Sequence, residues 1–395
     1  MIVPANLDAV DACRLSAIYS RTVLIPTIQL LLFILAFTTL CGAQTPPRLA
    51  NGVPISQASG EDIYRGACAG CHASDGKGNP QSVVGFKTAL PDFTDCSFAS
   101  PEAELDWVAV VANGGPIRAF DRKMPAFGDL LTLEQITRVV DYVRNFCSDE
   151  SWPRGELNLP RALVTEKAFP ENEAVVTTTL SRDPGSMSNE FLYERRIGAR
   201  SQYEIVVPFN LQRRDAATGW NRGLGDIEVA FKHVMFHSSR TGSIFSIGSD
   251  LILPTGKETL GLGGGRTVIE PFAAFGQILP KAGFLQFQAG FERPITRQEA
   301  TTEGFWRTAA GKTFTQGWGR AWSPMVEVLG AREFESGART EWDVIPQIQV
   351  TLSTRQHVML NAGFRFPVND RHERNKAFMV YLLWDWFDGG LFSGW

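Results

Sequence analysis

Cys68-Ala69-Gly70-Cys71-His72 is the stretch that decides the fold of the N-terminal part. Two thiols three residues apart can add to the two vinyl groups of one porphyrin, and the next residue can place an imidazole nitrogen on the iron. Thioredoxin-like redox pairs and zinc sites share the C-x-x-C spacing. A zinc site needs further ligands nearby, but His72 is the only histidine before His233, and no βαβ setting supports a redox pair. The motif predicts one haem c bound covalently through Cys68 and Cys71, with His72 on the iron.

The sixth iron ligand follows almost by elimination. Met124 is the only methionine between residues 44 and 150. A thioether opposite an imidazole is the low-spin pairing that raises the reduction potential, and Pro125 fixes the backbone directly after it. The alternative is that Met124 only packs in a small core. We expect it to be the second axial ligand.

The surrounding sequence predicts three helices. The first runs from Gly60 to Cys68 and delivers the cysteines. A second is predicted to start at Ser100-Pro101, with serine as N-cap and proline at the first helical position, and to end at Gly114-Gly115. Thr132 and Gln135 form a capping box that opens the last helix. Its apolar residues recur at helical spacing: Ile136, Val139, Val140, Val143 and Phe146.

Three helices with a methionine loop before the last one resemble a class I c-type cytochrome domain, over residues 55–148. The resemblance implies thioether bonds at Cys68 and Cys71 and iron ligation by His72 and Met124. Pro80 resembles the proline whose carbonyl orients the proximal imidazole in that family. The implied activity is transport of single electrons by a carrier, rather than turnover of a substrate by an enzyme.

Two cysteines outside the motif point to an exported protein. Cys96 and Cys147 remain after the motif pair and the two cysteines of the leader, Cys13 and Cys41, are set aside. In an oxidising compartment they can form a disulfide, and two unpaired thiols are the alternative. Residues 1–43 read as a signal peptide, because two arginines precede an apolar stretch and Cys41-Gly42-Ala43 offers small residues for cleavage.

Composition changes along the chain. Residues 44–150 carry 9 basic and 14 acidic side chains, whereas residues 151–395 carry 27 basic and 26 acidic ones. An acidic surface can steer a basic redox partner, and neither part suggests binding of nucleic acid. Residues 149–173 are rich in proline and charge without sustained periodicity. We expect an ordered linker that lies over the surface of the next domain, with a flexible tether as the alternative.

The hydrophobic period changes to two from residue 174 onward. Tyr203, Ile205, Val207, Phe209 and Leu211, for example, alternate with mostly polar residues. Twelve such segments begin near residues 175, 189, 201, 226, 243, 267, 283, 304, 321, 340, 357 and 376. Tight turns alternate with long polar loops between them, which is typical of an outer-membrane β-barrel. A soluble β-sandwich is the alternative, but it does not require this alternation of loop lengths.

Aromatic residues support the membrane barrel. Tryptophans cluster near strand ends, where interfacial girdles lie, and the chain closes on Trp395, which resembles the C-terminal aromatic residue of outer-membrane proteins. The predicted fold class is a small all-α cytochrome c domain followed, over residues 174–395, by an all-β antiparallel transmembrane barrel. His233, His237, His357 and His372 are scattered along it and predict no metal site.

Size constrains how the two domains fit together. Twelve strands give a backbone circle roughly 24 Å across, whereas a globule of this length is more than about 30 Å wide. We therefore expect the cytochrome outside the lumen, at the periplasmic mouth where the short turns lie. In plan the chain is similar to the fused cytochrome–porins of iron-oxidising bacteria. Its expected partners are outer-membrane lipid, a periplasmic redox partner and an external electron donor. The alternative is a solute channel with an accessory cytochrome.

Overall fold

The structure is a computed structural model that describes residues 47–87, 89–181, 185–213, 219–295, 301–315, 317, 319–371 and 374–386. The predicted signal peptide, Trp318, His372 and the terminal Trp395 lie outside the described residues. An all-α N-terminal domain precedes a closed β-barrel, and the predicted fold class is confirmed. No helix in the described part of the chain is both long and apolar enough to cross a membrane.

The N-terminal domain is built from short helices. They are α1 (Gly60–Ile63), a π-helical turn (Tyr64–Cys68), α2 (Ala69–His72), α3 (Gln81–Val84), α4 (Cys96–Ala99), α5 (Glu104–Asn113) and α6 (Leu133–Arg144). The capping box of Thr132 and Gln135 opens α6, as predicted. The expected helix start at Ser100-Pro101 is wrong, because Ser100 instead ends α4. The backbone amide of Glu104, at the observed start of α5, donates a hydrogen bond of 2.7 Å to the carboxylate of Glu156, which is far away in the sequence.

The first and last helices of this domain cross at Gly60. A Cβ atom there would lie 2.2 Å from the carbonyl oxygen of Arg138, so only glycine permits the approach. The apolar stripe of α6 faces the same core as α1, and Ile63, Tyr64 and Ile136 are almost completely buried in it. Burial of this face against the first helix is what holds the two ends of the domain together.

Thirteen strand segments form the C-terminal domain. They are β1 (Glu173–Ser181), β2 (Ser186–Ile197), β3 (Ser201–Arg213), β4 (Trp220–Leu224), β5 (Ile227–Ser238), β6 (Ser243–Leu253), β7 (Val268–Leu279), β8 (Gly283–Pro294), β9 (Glu303–Lys312), β10 (Trp322–Glu333), β11 (Glu341–Thr351), β12 (Val358–Pro367) and β13 (Ala377–Asp385). All pairs are antiparallel, and β1 pairs with β13, which closes the barrel.

The barrel has twelve strand positions around its circumference, as predicted. β4 pairs with residues 209–213 of β3, and β5 pairs with residues 201–206 of the same strand. The two segments therefore occupy the position of one interrupted strand. The sequence pattern found the twelve long strands, with starts within three residues of those observed, but missed β4. Both ends of the barrel chain lie at one end, together with the short connections β2–β3, β5–β6, β7–β8 and β11–β12 and the longer β9–β10 connection; we call this the short-turn end. The other end carries the longest loops and the four-residue β1–β2 connection.

The outward-facing positions of the strands are largely apolar. Phe231 is 51% exposed and Phe364 is 52% exposed, whereas the neighbouring Lys232 and Asn361 point inward and are buried. A soluble sandwich would bury its apolar faces, so this inversion excludes the alternative. The barrel is apolar outside, which is the arrangement that a lipid surround favours, and its inside combines many polar side chains with a smaller set of apolar ones such as Val234 and Phe284.

The segment between the domains does not lie on the surface as expected. Residues 155–172, which we call the plug, pass through the barrel lumen. Leu157 and Phe169 pack against inward-facing residues of β5, β6, β7 and β9, and Leu159 and Ala162 pack against those of β8, β9 and β10. The plug lacks a periodic pattern because it is irregular, and its polar backbone groups are bonded by side chains of distant strands rather than by neighbours in sequence.

The helical domain rests on the short-turn end. Arg118 donates a hydrogen bond of 2.6 Å to the carbonyl of Gly317 in the β9–β10 turn, and Arg200 in the β2–β3 turn donates one of 3.1 Å to the carbonyl of Ser151. The helical domain therefore lies outside the lumen, as the size argument predicts, and contacts the short-turn end.

Candidate functional site

The C-x-x-C-H motif lies at the end of a helix that widens just before it. The π-helical turn Tyr64–Cys68 presents the first cysteine, and such turns recur at functional sites. The Tyr64 hydroxyl donates to the carbonyl of Ala73 at 2.7 Å, and the Asn79 amide nitrogens donate to the carbonyls of Gly70 and Cys71. These bonds fix the turn that carries both free thiols and the imidazole.

His72 lines a cavity of about 1330 Å³ whose walls are mainly apolar. Its ring stacks on Phe93 with the centroids 4.9 Å apart. Burial lowers the pKa of His72 to about 4, so the ring is neutral at neutral pH. Its Nδ1 is buried without a hydrogen-bond partner among the described residues. Other lining residues include Cys68, Phe98, Trp107, Val111, Met124, Val140 and Val143.

Met124 reaches the same cavity from a loop that packs on the end of α5. The Gly115 amide donates to the carbonyl of Met124 at 3.0 Å. A Cβ on Gly114 would lie 2.9 Å from that carbonyl oxygen, and one on Gly115 would lie 2.4 Å from the carbonyl oxygen of Asp121. Gly114 also has a φ of 79°, in the left-handed region. The two glycines thus allow the methionine loop to approach the cavity.

Pro80 and the two remaining cysteines lie near this cavity in different roles. The carbonyl of Pro80 accepts from the amides of Val83 and Val84 at the start of α3, and not from His72. The expectation that it orients the imidazole is therefore not met.

Cys96 and Cys147 are joined by a disulfide with a Cα–Cα distance of 5.1 Å, which ties the start of α4 to the chain just after α6.

Comparison with known proteins agrees with this geometry. Residues 56–143 match the family model described as cytochrome c oxidase, cbb3-type, subunit III. Cytochrome c6 of Gracilaria tenuistipitata var. liui is 30% identical over 121 residues, which cover 95% of that protein and 30% of this chain. The chain belongs to the cytochrome c family. The match lies in the helical domain, which we call the cytochrome domain from here on. Membership of the family implies haem c.

The barrel resembles solved outer-membrane proteins only distantly. The COG4313 outer membrane channel from Pseudomonas putida F1 is 11% identical with a TM-score of 0.43, over 58% of this chain and all of that one. The NanC porin is 7% identical with a TM-score of 0.40, over 54% of this chain and 99% of that one. Because both scores are low, the strand number and closure described here rest on the strand pairing of this chain alone.

The residues present fit haem c. The thiol of Cys68, a neutral imidazole and a thioether line one mainly apolar cavity large enough for a porphyrin, and the second free thiol, that of Cys71, lies on the same turn directly before His72. Bound there, the group would be held by Cys68 and Cys71 and ligated by His72 and Met124, and it would supply one-electron chemistry at iron.

The cavity also reaches the barrel, which the sequence did not predict. Arg355 and His357 of the β11–β12 connection line it beside Glu102 and Asp106. His357 is buried between two carboxylates, with Nε2 3.2 Å from Glu102 and Nδ1 3.0 Å from Asp385 at the end of β13. A lone histidine near a predicted turn gave no signal of this contact, because the partners come from both domains.

One carboxylate holds the middle of the plug backbone. The oxygens of Glu327 on β10 accept from the amides of Leu163, Val164 and Thr165 at 3.1, 3.2 and 2.6 Å, and from the Thr165 hydroxyl at 2.7 Å. Glu327 itself is completely buried. Side chains of other strands add hydrogen bonds to the plug carbonyls: Gln286, Ser246, Asn361 and Tyr381.

Above the plug, toward the long loops, the lumen is acidic. Six carboxylates on neighbouring strands share this half of the barrel, which we call the vestibule: Glu190, Glu228, Asp250, Glu270, Glu292 and Glu303. Asp250 lies opposite Glu270, and Glu292 lies opposite Glu303. Among the described residues only Arg307 comes within ion-pair distance of any of them, 3.8 Å from Glu270. Such a field attracts small cations.

Proposed function

We propose that this chain is a monohaem electron-transfer protein of the outer membrane that passes single electrons between an external or envelope donor and a periplasmic partner. Cys68 and Cys71 form the two thioether bonds, and His72 and Met124 are the axial ligands. Each of these side chains is positioned by its own local structure, as the π-helical turn and the glycine pair show. A thioether opposite an imidazole gives a higher potential than two imidazoles would.

The barrel spans the outer membrane in this proposal. Its outward-facing positions carry many exposed apolar residues, and the closed pairing of the twelve long strands leaves none of them with an open edge to meet lipid. In bacterial barrels the short turns face the periplasm. The cytochrome domain, which contacts the short-turn end, would therefore be periplasmic, and the vestibule would open to the outside.

The observation that carries the proposal is the position of the haem cavity at the base of the barrel. Residues of both domains line it, so a haem bound there would lie between the lumen and the periplasm. A cationic donor gathered in the vestibule would reach the plug and not the haem itself. The plug therefore opposes the second reading, an open solute channel with an accessory cytochrome.

Intact cells test the topology that this function requires. An added protease should cut the long loops, for example around residues 213–225 or 367–375, because exposed backbone is most easily cleaved there. The cytochrome domain should stay intact until the outer membrane is permeabilised. Cleavage within residues 61–80 in intact cells would place the domain at the cell surface and overturn the proposal.

A further inference from the structure

The haem cavity has a polar part as well as an apolar part. Tyr64, Val139 and Val140 belong to the apolar cluster that packs on Cys68. Polar side chains line the cavity where the cytochrome domain meets the barrel: Glu102, Asp106, Arg118, Arg355 and His357. Haem c, on which the proposed function rests, is divided in the same way. Its vinyl groups, which bond to the cysteines, and its two propionate carboxylates lie on opposite edges of the ring.

One buried donor in the cavity indicates an acceptor on the bound group. Trp107 lines the cavity, and its Nε1 is buried without a hydrogen-bond partner among the described residues. Buried polar groups in native structures are nearly always hydrogen-bonded. The strong acceptors of a haem are its propionate oxygens. The cavity therefore favours a bound group that carries a carboxylate as well as an apolar ring.

Two basic side chains of the polar part are engaged by carboxylates of the chain itself. Arg118 Nη2 is 2.7 Å from Asp106 and also donates to the carbonyl of Gly317. The imidazole of His357 has Nε2 3.2 Å from Glu102 and Nδ1 3.0 Å from Asp385. Glu102 and Asp106 thus have basic partners within the chain, and a further carboxylate in the cavity needs another cation.

Exposure singles out Arg355 among the other cations of the described lining. Lys87, Arg122 and Lys123 are exposed to water, where an ion pair contributes little. Arg355 is half-buried, and its guanidinium lies over the ring of Phe120 with 4.7 Å to the centroid. A guanidinium has five N–H donors and binds carboxylates through two parallel hydrogen bonds. Arg355 can therefore bind a propionate in addition to its contacts within the chain.

The turn that carries Arg355 is fixed on both sides of it. The Ser353 hydroxyl accepts from the amides of His357 and Val358 at 2.9 and 3.1 Å. The Gln356 side chain donates to the carbonyl of Gly319 in the β9–β10 connection at 2.7 Å. The guanidinium is thus presented to the cavity from an ordered backbone, which lowers the entropy lost when it binds a carboxylate.

We propose that Arg355 binds a propionate of the haem, so that the barrel contributes a binding residue to the haem site. The thioether bonds and axial ligands come from the cytochrome domain, whereas the positive charge that balances a propionate comes from the β11–β12 connection. Removing this charge should lower the reduction potential, because ferric haem carries one more positive charge than ferrous haem and is repelled more strongly by a nearby cation.

Redox titration and resonance Raman spectroscopy of the haem-loaded full chain test this contact. Arg355→Gln should lower the potential and shift the propionate bending band. Arg355→Lys should recover most of the potential while the band stays shifted, because an ammonium keeps the charge but cannot form the two parallel bonds. Arg320→Gln is the matched control, since it removes an exposed arginine of the β9–β10 connection that does not line the cavity. Both of its readouts should equal those of the wild type.

Two results would overturn the proposal: an unmoved propionate band in Arg355→Gln, whatever its potential, or equal shifts in Arg320→Gln. If Arg355→Gln does not load haem, the band of Arg355→Lys decides, and an unmoved band there is equally contrary. A chain without covalent haem would refute the proposed function. A loaded chain whose propionate band does not respond to Arg355 would refute this inference alone.

Discussion

Replacement of Glu327 by alanine should release the plug. The carboxylate accepts three backbone amides and one hydroxyl of residues 163–165. Three of these donors lose their partner in the variant, whereas the Leu163 amide keeps the side-chain oxygen of Gln347 at 3.1 Å. A hydrogen bond to a charged group contributes about 1.5–3 kcal/mol. Because water can enter the space that the side chain leaves, we assign a lost stabilisation of about 1 kcal/mol to each donor that loses its partner. The total of about 3 kcal/mol corresponds to roughly 10²-fold in the equilibrium between plugged and open lumen.

Conductance of the purified protein in planar bilayers measures this effect. The wild type should conduct rarely, and Glu327→Ala should open often. Val328→Ala is the control, because it truncates the next residue of β10 on the outward face, where the side chain is 38% exposed. Glu327→Gln should be intermediate, since an amide oxygen still accepts but carries no charge.

A variant that keeps its haem spectrum and barrel fold but conducts like the wild type would refute the reasoning. It would mean that the bonds from Glu327 do not hold the plug in the lumen.

Three further variants test the cytochrome domain. Cys68→Ala or Cys71→Ala should each lose one thioether and shift the pyridine-haemochrome band, and unchanged bands in both would exclude covalent attachment at this motif. Met124→His should keep low-spin iron but lower the reduction potential substantially in a redox titration; an unchanged potential would remove Met124 from the iron. Replacing Cys96 and Cys147 together by alanine should cost about 4 kcal/mol of unfolding free energy for a loop of 51 residues, measured with denaturant, and no loss would show that the bridge does not stabilise the domain.

Local patterns predicted most of the fold. Alternation in each strand depends only on residues two apart, so the twelve long strands and their turns could be found from the sequence. The same holds for the Thr132 capping box, which acts over three residues. The error at Ser100 has the opposite origin, because the start of α5 is capped by Glu156, fifty-two residues later.

The lumen could not be predicted in the same way. The plug is irregular, and Leu163 and Thr165 are bonded by a strand more than 160 residues away. The sequence does contain one indication that something fills the lumen: Lys232 and Glu327 are charged residues at inward-facing strand positions, and buried charges need partners. The contact of His357 with Glu102 likewise joins two domains, and no local pattern records it.

Electron passage across a bilayer tests the central claim most directly. The haem-loaded full chain would be reconstituted with its long loops outward in vesicles that contain an oxidised soluble cytochrome, and an impermeant donor would be added outside. We predict that the trapped cytochrome is reduced, and that the rate falls sharply in Met124→His, whose potential is lower. Equal rates with and without the protein, or reduction that appears only after the vesicles are lysed, would contradict the account.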